Sequence, residues 1–238
     1  MHASWTIAKR EFTSQFFSPI AYVVLSVFAL VSTGFFFTTF APGQPLTIRN
    51  ELGYLVWLMV FLLPAISMRL ISEELRSGTI ETLMTAPLSD AQVIAGKWIG
   101  GMLFFLTLLI PIAVHIAVME FNGDPDYGPI ATGLLGLIFV AGLYMAIGIF
   151  VSAFSSNQIV TWIITVLMTG SLTIGLYMLM QVQMPPFLAA ALLYLNVDAQ
   201  YQDFAKGLVD LTNFIYFVSG IGLFLFLAVL ALQSRRWR

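Results

Sequence analysis

The chain has 238 residues, 59% hydrophobic and 9% charged, with a net charge of −2. A soluble domain carries about 25% charged residues and has no interior able to hide this much apolar surface, so the composition dictates an integral membrane protein. The absence of cysteine excludes disulfides and thiolate metal sites.

Residues 1–18 place Trp5, Phe12 and Phe16 on one helical face, with Lys9 and Arg10 largely elsewhere. That pattern predicts an amphipathic helix lying in the membrane interface and entering the bilayer near Pro19. It serves either as a surface anchor or also as a contact for a cytosolic subunit. A spanning helix needs roughly 20 apolar residues. Such runs fall at about 20–40, 52–71, 98–121, 130–154, 158–182 and 213–234. Between the fifth and sixth, Pro185-Pro186 breaks the helix. An apolar run from Phe187 to Leu195 and a mixed stretch to Asp210 then predict short helices dipping into or lying on the outer face. The expected fold is an all-α integral membrane domain over 1–238: six spans, an interfacial leader, and a re-entrant or surface element before the last span.

Orientation follows from the basic residues in the connections. One side receives Lys9, Arg10, Arg69, Arg76, Lys97, Arg235, Arg236 and Arg238, and the other only Arg49 and Lys206. Both termini and the second-to-third-span loop are expected in the cytoplasm.

That loop concentrates charge: Arg69, Glu73, Glu74, Arg76, Glu81, Asp90 and Lys97 lie within it. Gly78 permits a turn, Thr79 can cap a short helix carrying Ile80, Leu83 and Met84 on one side and Glu81 on another, and Pro87 ends it. Ser89 and Gln92 have the spacing of a capping box for the next helix. A short crosswise helix fastened to two spans moves both when it is pushed.

The stretch Glu73-Glu74-x-x-x-Gly78-Thr79-Ile80-Glu81-x-Leu83-x-x-x-Pro87-Leu-Ser, continuing to Gly96-Lys97, resembles the second-to-third-span loop of ABC-2 type exporter permeases. Within them it is most similar to the gliding-motility-associated (Gld-type) and Nos-type group. Residues 204–211 and 215–217 are similar to that group's terminal stretches. The stretch 195–201 departs from the group's usual pattern, which removes any basis for borrowing a substrate. The resemblance implies a multi-pass protein of the bacterial inner (plasma) membrane, paired with a second permease chain and docked on two copies of a cytosolic ATPase. It makes Glu73, Glu74, Gly78, Thr79, Ile80, Glu81, Leu83, Met84 and Pro87 the coupling segment. Trp5, Lys9, Arg10 and Phe12 brace it from the leader. ATP and magnesium belong to the partner ATPase, because Gly96-Lys97 lacks the remainder of a phosphate loop. No catalytic residue, resident metal or nucleic-acid partner is expected of this chain. A self-contained secondary transporter is the alternative.

Four threonines, Thr161, Thr165, Thr169 and Thr173, repeat every four residues along the fifth span, followed by Tyr177. They form either a packing stripe or, as the resemblance implies for this span, a mildly polar substrate route. His115 follows Pro111 by one turn and is either a donor to a freed carbonyl or a functional intramembrane group. Met178, Met180 and Met184 fill gaps or form a thioether cluster. Gly133, Gly136, Gly142, Ala146 and Gly148 in the fourth span mark close helix packing.

Overall fold

A computed structural model describes residues 2–40, 47–80, 88–183 and 185–235. Among them every regular element is helical, and six helical stretches have the length and apolarity to cross a membrane. The leader α1 (His2–Phe16) turns at Ser18, whose side chain caps α2 (Pro19–Thr39) with Pro19 in the first turn. This places the fixed φ of proline where its missing N–H costs nothing.

The second span comprises α3 (Arg49–Ser67) and α4 (Arg69–Ser77), which meet at Met68, with Pro64 inside the last turn of α3. Proline cannot donate to the carbonyl four residues earlier, here that of Val60. The Thr169 hydroxyl of the fifth span approaches that carbonyl to 3.4 Å, and Trp162 donates to the neighbouring Phe61 carbonyl at 3.2 Å. Polar side chains of another span thus cover the backbone around the carbonyl that Pro64 leaves without its helical donor. The third span breaks similarly into α5 (Asp90–Leu108) and α6 (Ile110–Asn122) around Pro111. The expected Ser89–Gln92 capping box starts α5, so the helix begins at Asp90, eight residues ahead of its apolar run.

The fourth span, α7 (Tyr127–Ser152), is the centre of the bundle, with 72% of its apolar window buried against 22% for the fifth and sixth spans. Its glycines admit neighbours: a Cβ on Gly148 would lie 1.8 Å from Ser67 Oγ, and one on Gly136 would lie 2.7 Å from Phe204 Cβ. The fifth span comprises α8 (Gln158–Gly170), a π-helical turn (Ser171–Gly175) and α9 (Leu176–Leu179). The sixth is α12 (Leu211–Arg235). Between them lie two unlike helices. The apolar α10 (Pro186–Leu195) buries none of its residues, whereas α11 (Val197–Ala205) wedges Val197, Tyr201 and Phe204 fully into the bundle.

Candidate functional site

The leader docks on the third span because that helix offers glycine where α1 crosses it. Cβ atoms on Gly96 and Gly100 would lie within 3 Å of Ile7 and Glu11, so only glycine lets the two backbones approach this closely. The buried face of α1 is consequently Ile7, Ala8, Glu11 and Gln15. Phe12 and Phe16 flank it, Phe16 meeting Phe104 edge-on. The aromatic face read from the sequence is thus divided, since Trp5 stays 57% exposed and Lys9 is exposed.

This close approach sets Glu11 beside Lys97. The Lys97 side chain is 1% exposed, with Nζ 3.1 Å from Glu11 Oε1 and 2.8 Å from Glu74 Oε1. It also donates to the Leu70 carbonyl, so the ammonium's three donors reach three acceptors. Arg10 closes the ring at 2.8 Å from Glu11 and 3.2 Å from Glu74. The Glu11 hydrogen bond, aided by the charge of Glu11 and Glu74, raises the Arg10 pKa above its usual value against an opposing effect of burial. Two cations and two carboxylates, drawn from α1, α4 and α5, form a neutral junction, which is what makes a buried ammonium tolerable. Glu73, one residue from Glu74, turns outward and pairs with Arg69 at 2.7 Å. Adjacent glutamates thus do different work: Glu74 ties three helices together and Glu73 supports its own.

A cavity of about 520 Å³ opens beside the junction, lined by Arg10, Glu73, Glu74, Thr79 and Lys97 among others. Glu74 Oε2 is buried without a hydrogen-bond partner. Gly78 ends α4 with φ +72°, the left-handed conformation that glycine adopts without strain. Thr79 lies 2.8 Å from Ser77 through their hydroxyls, and Ile80 is buried in the core. Glu81, Leu83, Met84 and Pro87 of the expected coupling segment lie outside the described residues.

The threonine stripe faces inward. Thr161, Thr165, Thr169 and Thr173 are fully buried, and each hydroxyl donates to the carbonyl four residues earlier. Beyond those bonds, Thr161 meets Ser72, Thr169 reaches Val60, and Thr173 meets Tyr144. The stripe joins the fifth span to the second and fourth. Tyr177, above it, is instead 38% exposed and lines a second cavity of about 740 Å³ at the end opposite Lys97. There Trp57 donates to Asp198 at 3.1 Å and meets Tyr177 edge-to-face. Burial pushes the Asp198 carboxyl above the usual range, opposed by hydrogen bonds from Trp57 and Gln202.

One constellation is not apparent in the sequence. Glu51, which hydropathy assigns to a polar connection, is fully buried, with Oε1 2.7 Å from His115 Nδ1. His115 Nε2 reaches Thr33 at 3.2 Å, and Phe36 stacks on the ring at 4.5 Å. His115 therefore pairs with the Glu51 carboxyl group and links the first three spans. Glu51 and His115 are 64 residues apart, and no local spacing joins them. Met178 is exposed and Met180 half-buried, while Met184 lies outside the described residues.

A six-span helical bundle with a docked leader and a charged junction at one end defines a multi-pass membrane protein. Residues 54–234 match the family described as ABC-2 family transporter protein, and the chain belongs to that family. It is 29% identical over 235 residues to the probable ABC transporter permease protein NosY of Pseudomonas aeruginosa, with 90% of this chain and 83% of that protein covered. It is 26% identical over 234 residues to the protein of the same description from Stutzerimonas stutzeri, with the same shares covered. The chain is a transmembrane subunit of an ABC transporter.

Proposed function

We propose that this permease couples ATP hydrolysis in a separate cytosolic ATPase, present in two copies, to export through a pair of permease chains in the bacterial inner membrane. The junction around Lys97 is the observation that carries the reading. It joins the leader and the third span to Glu74, four residues ahead of Gly78-Thr79-Ile80. A push on residues 79–86 from the ATPase then moves α1, α4 and α5 as one body, because separating them would strand buried charge. Trp5 and Lys9, left exposed on the leader, face the same partner. The excess of Lys and Arg at this end supports a cytoplasmic location for it and for both termini. ATP and magnesium are held by the ATPase.

The threonine stripe joins the route when α8 moves off α3 during that stroke, exposing hydroxyls that are sealed at rest. Tyr177 sits at its outer mouth. The Glu51–His115 pair would suit a self-contained proton-linked transporter, but it is buried within the first three spans, with Phe36 stacked on the imidazole.

The test purifies the detergent-solubilised complex through the wild-type chain and through Glu81→Arg, and measures bound ATPase and its turnover. Co-purification with wild type, with release or uncoupling by Glu81→Arg, is expected. A stable, folded wild-type chain that retains no ATPase overturns the reading.

A further inference from the structure

The cavity opposite the Lys97 end combines groups of opposite character. Arg49 is exposed at one side, and Asp198, only 9% exposed, sits at another. Tyr54, Trp57 and Tyr177 line the same cavity, and Gln202 hydrogen-bonds Asp198. Guanidinium binds phosphate through parallel N–H donors, and a carboxylate set among aromatic faces holds an ammonium by charge and cation–π attraction. Trp57 Nε1 donates to Asp198 Oδ1, and hydrogen bonds from Trp57 and Gln202 favour the charged form against the burial that disfavours it. Burial raises the pKa of that carboxyl, and a cation seated against it would relieve the cost.

A further observation points to the source of such a ligand. The helix α10 runs from the Tyr177 segment to the Asp198 helix, and it leaves Phe187, Leu188 and Leu193 exposed. An apolar helix with no buried residue, joined in the chain to the helix that carries Asp198 and Gln202 into the cavity lining, offers a surface for acyl chains.

We propose that this cavity binds a head group bearing both a phosphate and an ammonium, presented by a zwitterionic membrane lipid lying against α10. Arg49 takes the phosphate, and Asp198 with Trp57 and Tyr177 takes the ammonium. As a statement about cargo, the proposal rests on the transport reading above; as a statement about binding, it stands without an ATPase.

The experiment is calorimetric titration of the purified chain in a maltoside detergent with three probes. These are dihexanoyl-phosphatidylethanolamine, its chain-free glycerophosphoethanolamine head, and dihexanoyl-phosphatidylglycerol, which has the phosphate but no amine. Wild type should prefer the ethanolamine lipid over the glycerol lipid by about tenfold, as one lost charged hydrogen bond implies. Asp198→Asn, which keeps an acceptor for Trp57, should abolish that preference. Arg49→Gln should weaken both lipids about tenfold. Equal affinity for the two lipids, no binding, or unchanged affinities in both variants overturns the proposal. Chain-free head group binding as tightly as the lipid overturns the lipid source and assigns a soluble phosphoamine. Thermal unfolding of each variant guards against misfolding. Loss of ATPase co-purification leaves this binding result untouched, so the two readings fail separately.

Discussion

Replacing Lys97 with methionine isolates the worth of the junction. Methionine keeps the length and packing of the lysine stem but removes three donors, to Glu11, Glu74 and the Leu70 carbonyl. Removing one partner of a buried ion pair costs about 3–5 kcal/mol. Arg10 remains in contact with both carboxylates, so the lower end applies, about 3 kcal/mol. That is roughly a hundredfold shift in the folding equilibrium. For a chain of this size it lowers the thermal midpoint by about 6–12 °C. The assay is tryptophan-monitored thermal unfolding in detergent. Pairing Lys97→Met with Glu74→Gln leaves Arg10 and Glu11 balanced, so the double variant should cost about 1–2 kcal/mol less than the sum of the single ones. A Lys97→Met protein within about 0.5 kcal/mol of wild type, or strict additivity in the cycle, would refute the claim that the junction holds three helices as a unit.

Gly100→Ala places a Cβ 2.7 Å from Glu11 Cβ and 2.9 Å from the Ala8 carbonyl, so α1 must back away from α5. Its expected result is faster protease cleavage within residues 2–16 and a loss of about 1–3 kcal/mol in stability. Gly148→Ala collides with Ser67 and should lower the thermal midpoint, while adding Ser67→Gly removes the colliding side chain and should restore much of it. His115→Leu leaves both oxygens of buried Glu51 unpartnered and should cost about 1–3 kcal/mol, whereas His115→Leu with Glu51→Leu should recover most of that loss in the same unfolding assay.

The sequence by itself determined the class of fold, because hydrocarbon thickness fixes span length and a run of twenty apolar residues has no other use. Six spans, the Ser89–Gln92 cap, the turn at Gly78 and the close-packing glycines of the fourth span are all local features, set by residues near one another in the chain. The loop motif likewise carried the family. Tertiary structure decided which polar groups meet. Glu11, Glu74 and Lys97 lie far apart in sequence and converge only because Gly96 and Gly100 admit the leader. Glu51 reads as a connection residue until His115 arrives from the third span to hold it. Nothing near Pro64 in the sequence says that Thr169 of the fifth span will approach the Val60 carbonyl it leaves without a donor. In a bilayer each buried polar group must find a partner inside the protein, and the choice of partner is a property of helix packing rather than of local sequence.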